Sequence, residues 1–462
     1  MSVADDVILT LRSWHRMPSA QLLGRLGVSR PTLMRATQAL GAQLVTRGRA
    51  RRTAYAARRA IRGSFDTLPL YRIDANGQVE EVAVLHPTYP QGCAADFLEP
   101  PEWPLDLDMA DGWFDGLPYM LDDMRPQGFL GRHFASAIAP VLQVPENPEH
   151  WSEDDALHVL CVVGSDQPGC YIIGEPALRT WLAQSQSPLA ALTNRQVATA
   201  YPALADAAMG RGNPGSSAGG EFPKFTTLRD FNGTTSHVIV KFSGSDKSPG
   251  ARRWADLIVC EHLASQVVRE HLDMASAESR IVQAGGRTFL EVRRFDRHGA
   301  RGRSPVCSWS ALNAALFGLA GKPWTAGAAA LRASEYIDEA TQAQIQRLWH
   351  FGKLIGNTDM HDGNLSFMPG PPGLAALELA PVYDMLPMLY APDRALELAE
   401  RPFDPSLPLP AERTAWRSAL PAARAFWSAA ATDSRISASF RKICALNAKH
   451  LTQLASENKT AT

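Results

Sequence analysis

Residues 340–357 (ATQAQIQRLWHFGKLIGN) read as a helix and run into Asn357-Thr358-Asp359-Met360-His361-Asp362-Gly363-Asn364, followed by the strand-like Leu365-Ser366-Phe367. Ile345, Leu348, Trp349 and Leu354 recur at helical spacing, so this helix is expected to be largely buried and to deliver the loop from a fixed base. Asp359 and Asn364 stand five positions apart at the helix-to-strand crossing. One short loop then holds a carboxylate that can accept a proton and an amide oxygen that can hold a hard cation, the pair that phosphoryl transfer to a hydroxyl needs. A further carboxylate, Asp384, ends the next apolar strand, Leu377 to Met385, where a second oxygen ligand for magnesium belongs. Either aspartate alone is more often a turn or cap residue. Their order and spacing carry the reading.

Upstream lie the parts such a loop would work with. The stretch from Asn213 to Lys224 is rich in glycine and serine, and Ser216, Ser217 and Gly219 would let backbone and hydroxyls approach a phosphate. No G-K-[ST] follows, so it is not a Walker A loop. The alternating run SHVIVKFS then places Lys241 near a strand end, a short distance after the loop, as in proteins that grip nucleotide phosphates. The helix that follows, ARRWADLIVCEHLASQVVREHL, offers Asp256 and Glu261 as carboxylate partners for that lysine, and spacing does not choose between them.

Charge is unevenly distributed. Residues 1–62 hold twelve arginines against Asp5 and Asp6, while the remainder carries 34 basic and 45 acidic residues. A strongly basic module on an acidic body points to a polyanion partner. Val7, Ile8 and Leu11 suggest a first helix, Ser19 an N-cap for a second, Gly27 a tight turn, and Ser29 with Pro31 the start of a third. Leu33, Ala36 and Leu40 share one face of that third helix, leaving Ser29, Arg30, Thr32 and Arg35 to face DNA. LVTRGRARRTAYA reads as strand, basic turn and strand, a wing whose Arg47, Arg49, Arg51 and Arg52 would meet phosphates.

Between these regions, SFDTLPLYRIDANGQVEEVAVLHP carries a hairpin signal at Asn76-Gly77, and a Trp- and Pro-rich stretch after it reads as core. Six scattered cysteines form no C-x-x-C pair and have no histidine nearby at zinc spacing, so they read as thiols in a reducing compartment, with neither a disulfide framework nor a metal site indicated. With no signal-peptide pattern and no apolar run near the ~20 residues of a membrane span, a cytoplasmic protein without membrane partners is expected.

The motifs SSAGGEFPK, SHVIVKF, EVRRFDR, LIGNTDMHDGNLSF and PVYDMLPM resemble those of the HipA family of bacterial serine/threonine kinases, over most of residues 65–450. With the basic N-terminal domain, the chain is similar to the YjjJ-type branch. The resemblance implies an α+β, protein-kinase-like two-lobed HipA fold preceded by a small winged helix-turn-helix domain. Domains are expected at 1–62, 63–295 (N-terminal subdomain and N-lobe) and 296–455 (mostly helical C-lobe). It implies an ATP- and magnesium-dependent kinase toxin of a toxin–antitoxin system, with Asp359 catalytic, Asn364 and Asp384 holding Mg2+, and Lys241 on the ATP phosphates. Arg293 and Phe295 would border the adenine, and Ser216 or Ser217 would be the autophosphorylated loop serine. Expected partners are a protein substrate such as an aminoacyl-tRNA synthetase, DNA, a separate antitoxin and a second copy in a homodimer. Two other classes stay open: a DNA-binding regulator with an inactive or nucleotide-sensing kinase body, and a small-molecule phosphotransferase.

Overall fold

A computed structural model of the protein describes residues 2–14, 16–186, 190–210, 222–371, 376–393 and 396–460. Residues Met1–Pro126 with Ala135–Ser187 form one compact unit, and Gln127–Phe134 with Pro188–Thr462 form another.

In the first unit, Ser2 caps α1 (Val3–Arg12) reciprocally: its hydroxyl accepts from the Asp5 amide at 3.2 Å, and the Asp5 carboxylate accepts from the Ser2 amide at 2.8 Å. Strand β1 (Met17–Pro18) leads into α2 (Ser19–Leu26), and Gly27, at φ 62°, takes the left-handed turn into α3 (Arg30–Leu40). Ser19 is not the cap expected of it. Pro18 holds that position, and the Ser19 amide instead donates to the Thr53 carbonyl at 2.9 Å. Strands β2 (Leu44–Arg47) and β3 (Ala54–Ala57) complete a three-stranded sheet of order β1-β3-β2. Val7, Leu11, Leu22, Leu33, Leu40 and Tyr55 close the core between helices and sheet. The element order here is helix, strand, helix, helix, strand, strand.

Strands β4 (Leu68–Ile73), β5 (Val79–Thr88), β6 (Gly92–Phe97), β7 (Trp113–Phe114) and β8 (Tyr171–Ile173) build a five-stranded sheet of order β7-β6-β5-β4-β8. The hairpin turn falls at Asn76-Gly77, where Asp74 Oδ1 accepts from the Asn76 and Gln78 amides, both at 2.8 Å. Trp113, Phe114, Leu117, Tyr119, Met120 and Leu121 are buried, as a core stretch should be. Helices α4 (Leu107–Ala110), α6 (Glu153–Val163) and α7 (Glu175–Gln186) belong here, and α5 (Gly128–Leu142) is divided between the units.

The second unit starts with α8 (Asn194–Gly210) and a four-stranded antiparallel sheet of β9 (Lys224–Phe231), β10 (Thr234–Phe242), β11 (Ser279–Ala284) and β12 (Arg287–Arg293), in the order β11-β12-β10-β9. Helix α9 (Pro249–His271) joins β10 to β11 and packs on the sheet. Within the expected stretch 63–295, N-terminal subdomain and N-lobe, the strands pair into two separate sheets that share no strand.

After the short hairpin β13 (Arg297–His298) and β14 (Gly302–Arg303), the chain becomes mostly helical. A small sheet of β15 (Cys307–Ser308), β16 (Ser366–Pro369) and β17 (Leu377–Leu379) sits among α10 (Trp309–Leu316), α11 (Trp324–Ala333), α12 (Glu339–Leu354), α13 (Arg413–Thr432) and α14 (Ala438–Thr460). Ile345, Leu348 and Leu354 of α12 are fully buried and Trp349 is half-buried beside Trp324, so the following loop leaves a rigid base. Among the described residues, no helix is long and apolar enough to cross a membrane.

Candidate active site

Lys241 of β10 stands directly opposite Lys224 of β9 in the antiparallel register, so both project from one face of the sheet. Two cations opposite each other repel, and such a pair needs anions nearby. The anions come from two directions. Lys241 Nζ donates to both carboxylate oxygens of Glu261 on α9, at 2.7 and 2.9 Å, and also to the Asp384 carboxylate. Phe222, Lys224, Lys241, Asp359, Asp384, Leu386 and Met388 line one cleft. The choice between Asp256 and Glu261 is thereby made: Asp256 is turned away and accepts from the Ser437 amide at 2.7 Å and hydroxyl at 2.6 Å.

The loop after α12 holds its shape through its own asparagines. Asn357 Oδ1 accepts from the Asp359 amide at 3.0 Å, while its Nδ2 donates to the Asp384 carbonyl at 3.4 Å. Asn364 Nδ2 donates to the Asp359 carbonyl at 2.7 Å, which leaves Oδ1 as the atom able to face a cation. Tyr383 adds a second tie, donating to the Gly363 carbonyl at 2.7 Å with Ser366 Oγ also at 2.7 Å. Asp384 itself has φ 55°, a left-handed conformation uncommon outside glycine that is held here by contacts on both sides.

Electrostatics follow from this packing. Burial pushes the Glu261 carboxyl up to about 7 against the pull of Lys241. Burial would also raise Asp384, but Lys241 and Lys224 outweigh it and hold that carboxyl at about 2. Burial alone would discharge Lys241, and Asp384 with Glu261 reverses this, so the ammonium stays charged above its usual range. The cleft thus keeps an ionised aspartate beside two lysines. It suits a ligand bearing several phosphates, and the donor set of Asp384 and the Asn364 amide oxygen suits a hard cation such as magnesium, which takes few protein ligands and completes its shell with phosphate and water.

Comparison with known proteins places this site in a family. Residues 216–450 match the HipA-like C-terminal domain, and residues 64–182 match the middle domain of YjjJ-like toxins. The protein Toxin YjjJ of Escherichia coli (strain K12) is 36% identical over 426 residues, covering 92% of each chain. The chain belongs to the YjjJ-like branch of the HipA-type toxins. Its fold agrees: the HipA chain of a Shewanella oneidensis MR-1 toxin–antitoxin complex of HipA, HipB and operator DNA superposes with a TM-score of 0.50 at 16% identity, over 84% of this chain and 95% of that one.

In this YjjJ-like toxin the expected site residues divide. Lys241, Asp359 and Asp384 meet in the cleft, and Asn364 braces the Asp359 loop. Phe295 lies beside the site through its ring contact with Tyr383, 6.0 Å between centroids. Arg293 is held elsewhere, on Glu278 at 2.6 Å and over the Phe231 ring at 4.1 Å, three register positions along the sheet from Lys241. Ser216, Ser217 and Gly219 lie outside the described residues. Sequence reading passed over Lys224 as a site residue, together with Asn357 and Tyr383. Strand register was the signal for Lys224, since any pairing that continues the turn at Asn232-Gly233 sets it opposite Lys241.

At the N-terminus, Ser29 Oγ is committed to the cap of α3, 3.4 Å from the Thr32 amide and 2.9 Å from Thr32 Oγ1. Arg30 and Arg35 are exposed on that helix. The wing arginines are not equivalent: Arg47 pairs with Asp96 at 2.8 Å and the exposed Arg52 with Asp111 at 2.5 Å, whereas the exposed Arg49 and Arg51 make no ion pair among the described residues.

Proposed function

We propose that the chain is an ATP- and magnesium-dependent serine/threonine protein kinase, the toxin of a HipA-type toxin–antitoxin system, with its own DNA-binding winged helix-turn-helix domain. The observation that carries the kinase reading is the Lys224–Lys241 pair facing Asp359 and Asp384 across one cleft. Lys241, oriented by Glu261, and Lys224 hold the nucleotide phosphates. Asp359, on a loop braced by Asn357 and Asn364, orients the acceptor hydroxyl of a protein substrate and takes its proton as the phosphoryl group transfers. Asp384 and Asn364 would hold magnesium, which when bound supplies charge neutralisation on the phosphates.

A protein of the translation machinery, such as an aminoacyl-tRNA synthetase, is the proposed substrate class, and phosphorylation of Ser216 or Ser217 would silence the enzyme by placing negative charge where ATP phosphates must sit. The DNA reading rests on the basic composition and winged-helix element order of residues 1–62. The HipA structural neighbour comes from a complex with HipB and operator DNA, which supports antitoxin and operator as partners here.

Calorimetric titration with ATP tests the cleft. Lys224→Met and Lys241→Met should each weaken binding roughly 10- to 100-fold, the loss of one charge-assisted contact. Unchanged affinity in both variants would remove the cleft from the nucleotide site.

A further inference from the structure

The DNA-binding module is built into the middle domain, and its wing is where the two join. Strand β3 is buried along its whole length, though it consists of Ala54, Tyr55, Ala56 and Ala57. Its alternation explains this. Tyr55 and Ala57 face the helical core of residues 1–57, while Ala54 and Ala56, with Val45 of β2, face Ala94 of β6 and Trp113 of β7. Small side chains on β3 let the wing sheet lie close against the indole. The chain then continues into the second sheet, where the Tyr89 amide donates to the Ala57 carbonyl at 2.9 Å and the Arg59 amide to the Pro87 carbonyl at 2.8 Å.

Around this apolar contact lie ion pairs. Arg47 reaches Asp96, Arg52 reaches Asp111 and the Leu107 carbonyl at 2.6 Å, and Arg16 reaches Asp108. Gly48 makes the approach feasible: it sits at φ 79°, and a Cβ there would collide with the Arg52 carbonyl and lie 3.4 Å from Asp111 Oδ2. Exposed ion pairs contribute little when free side chains must be ordered. Here the apolar contact has already set the geometry, so they act as a rim. Between Arg47 and Arg52, the side chains of Arg49 and Arg51 make no hydrogen bond or ion pair among the described residues and are exposed.

We infer that the wing is divided in function: Arg47 and Arg52, with Arg16, hold the reader on the middle domain, while Arg49 and Arg51 at the wing tip, with Arg30 and Arg35 of α3, form the surface that meets the phosphates of duplex DNA. This rests on the DNA reading above and refines it. It also gives the middle domain a task, to hold the DNA module by its wing through Ala94, Trp113, Asp96 and Asp111.

The test is the salt dependence of binding to a fluorescein-labelled duplex of random sequence, measured by anisotropy on the full chain. Phosphate contacts are independent of sequence, and each one lost lowers the slope of log affinity against log salt by about 0.9. Arg49→Ala and Arg51→Ala are each expected to lower the slope by about that amount. Arg47→Ala and Arg52→Ala should leave it unchanged while lowering the thermal midpoint. Asp96→Asn and Asp111→Asn, which keep every arginine, should lower the thermal midpoint as Arg47→Ala and Arg52→Ala do, and a midpoint unchanged in all four would overturn the division. Equal loss of slope in all four arginine variants would overturn it too, with the DNA reading intact. Wild type that binds without salt dependence would overturn both.

Discussion

Lys241 on β10 donates to both oxygens of Glu261 on α9, at 2.7 and 2.9 Å, and so ties the cleft-lining strand to the helix behind it. The lysine also reaches Asp384, and one cation therefore holds the buried carboxylate of Glu261 and the partly exposed carboxylate of Asp384. Removing one member of a buried ionic group leaves the others uncompensated, at a cost of about 3–5 kcal/mol.

Lys241→Met should destabilise the second unit by about that much in urea unfolding at neutral pH. Lys241→Met combined with Glu261→Gln should be less destabilised than the two single changes added together, because the second removes a charge that the first stranded. Strict additivity would show that the two side chains do not share their energy.

Tyr383 precedes Asp384 and ties it to the Asp359 loop through the Gly363 carbonyl, while its ring rests against Phe295. Tyr383→Phe keeps the ring and removes the tie. Folding stability should fall by about 0.5–1.5 kcal/mol, the net value of one hydrogen bond. ATP affinity should hold and the phosphotransfer rate should drop, because the hydroxyl sets the spacing of two carboxylates and does not touch the nucleotide lysines. A loss of ATP affinity with an unchanged rate would contradict this positioning role.

His262 of α9 is buried beside Ser279 Oγ at 3.0 Å, and burial, aided by Arg435 and Arg269, lowers its pKa to about 4. The unfolded chain, at about 6.5, binds the proton more readily than the folded one between these values. Stability is therefore complete above about 6.5 and falls as pH drops towards 4. His262→Asn should flatten this part of the stability–pH curve, measured by denaturant unfolding from pH 7 to 4. A wild-type curve that is level across this window would refute the assignment.

Much of the kinase-like body could be read from the sequence because its motifs are local: the Asp359–Asn364 loop, the strand ending at Asp384 and the Lys241 strand each fall within one short segment. The partner of Lys241 could not be read. Helix α9 is buried on nearly every side, so no polar stripe separates Asp256 from Glu261, and Ser437, which takes Asp256, lies far along the chain. The ion pairs of the wing were hidden for a similar reason. Asp96 and Asp111, which pair with Arg47 and Arg52, lie some 50–60 residues further along the chain. Lys224 reads as the end of a loop, and only the register of β9 on β10 makes it a neighbour of Lys241.

The decisive measurement is incubation with labelled ATP and magnesium, alone and with a host lysate, comparing wild type with Asp359→Ala and mapping the labelled residues. Label on Ser216, Ser217 or a host protein in the wild type, and none in Asp359→Ala, is the expected result. Wild type that binds ATP yet labels neither itself nor any host protein would contradict protein phosphorylation by this cleft.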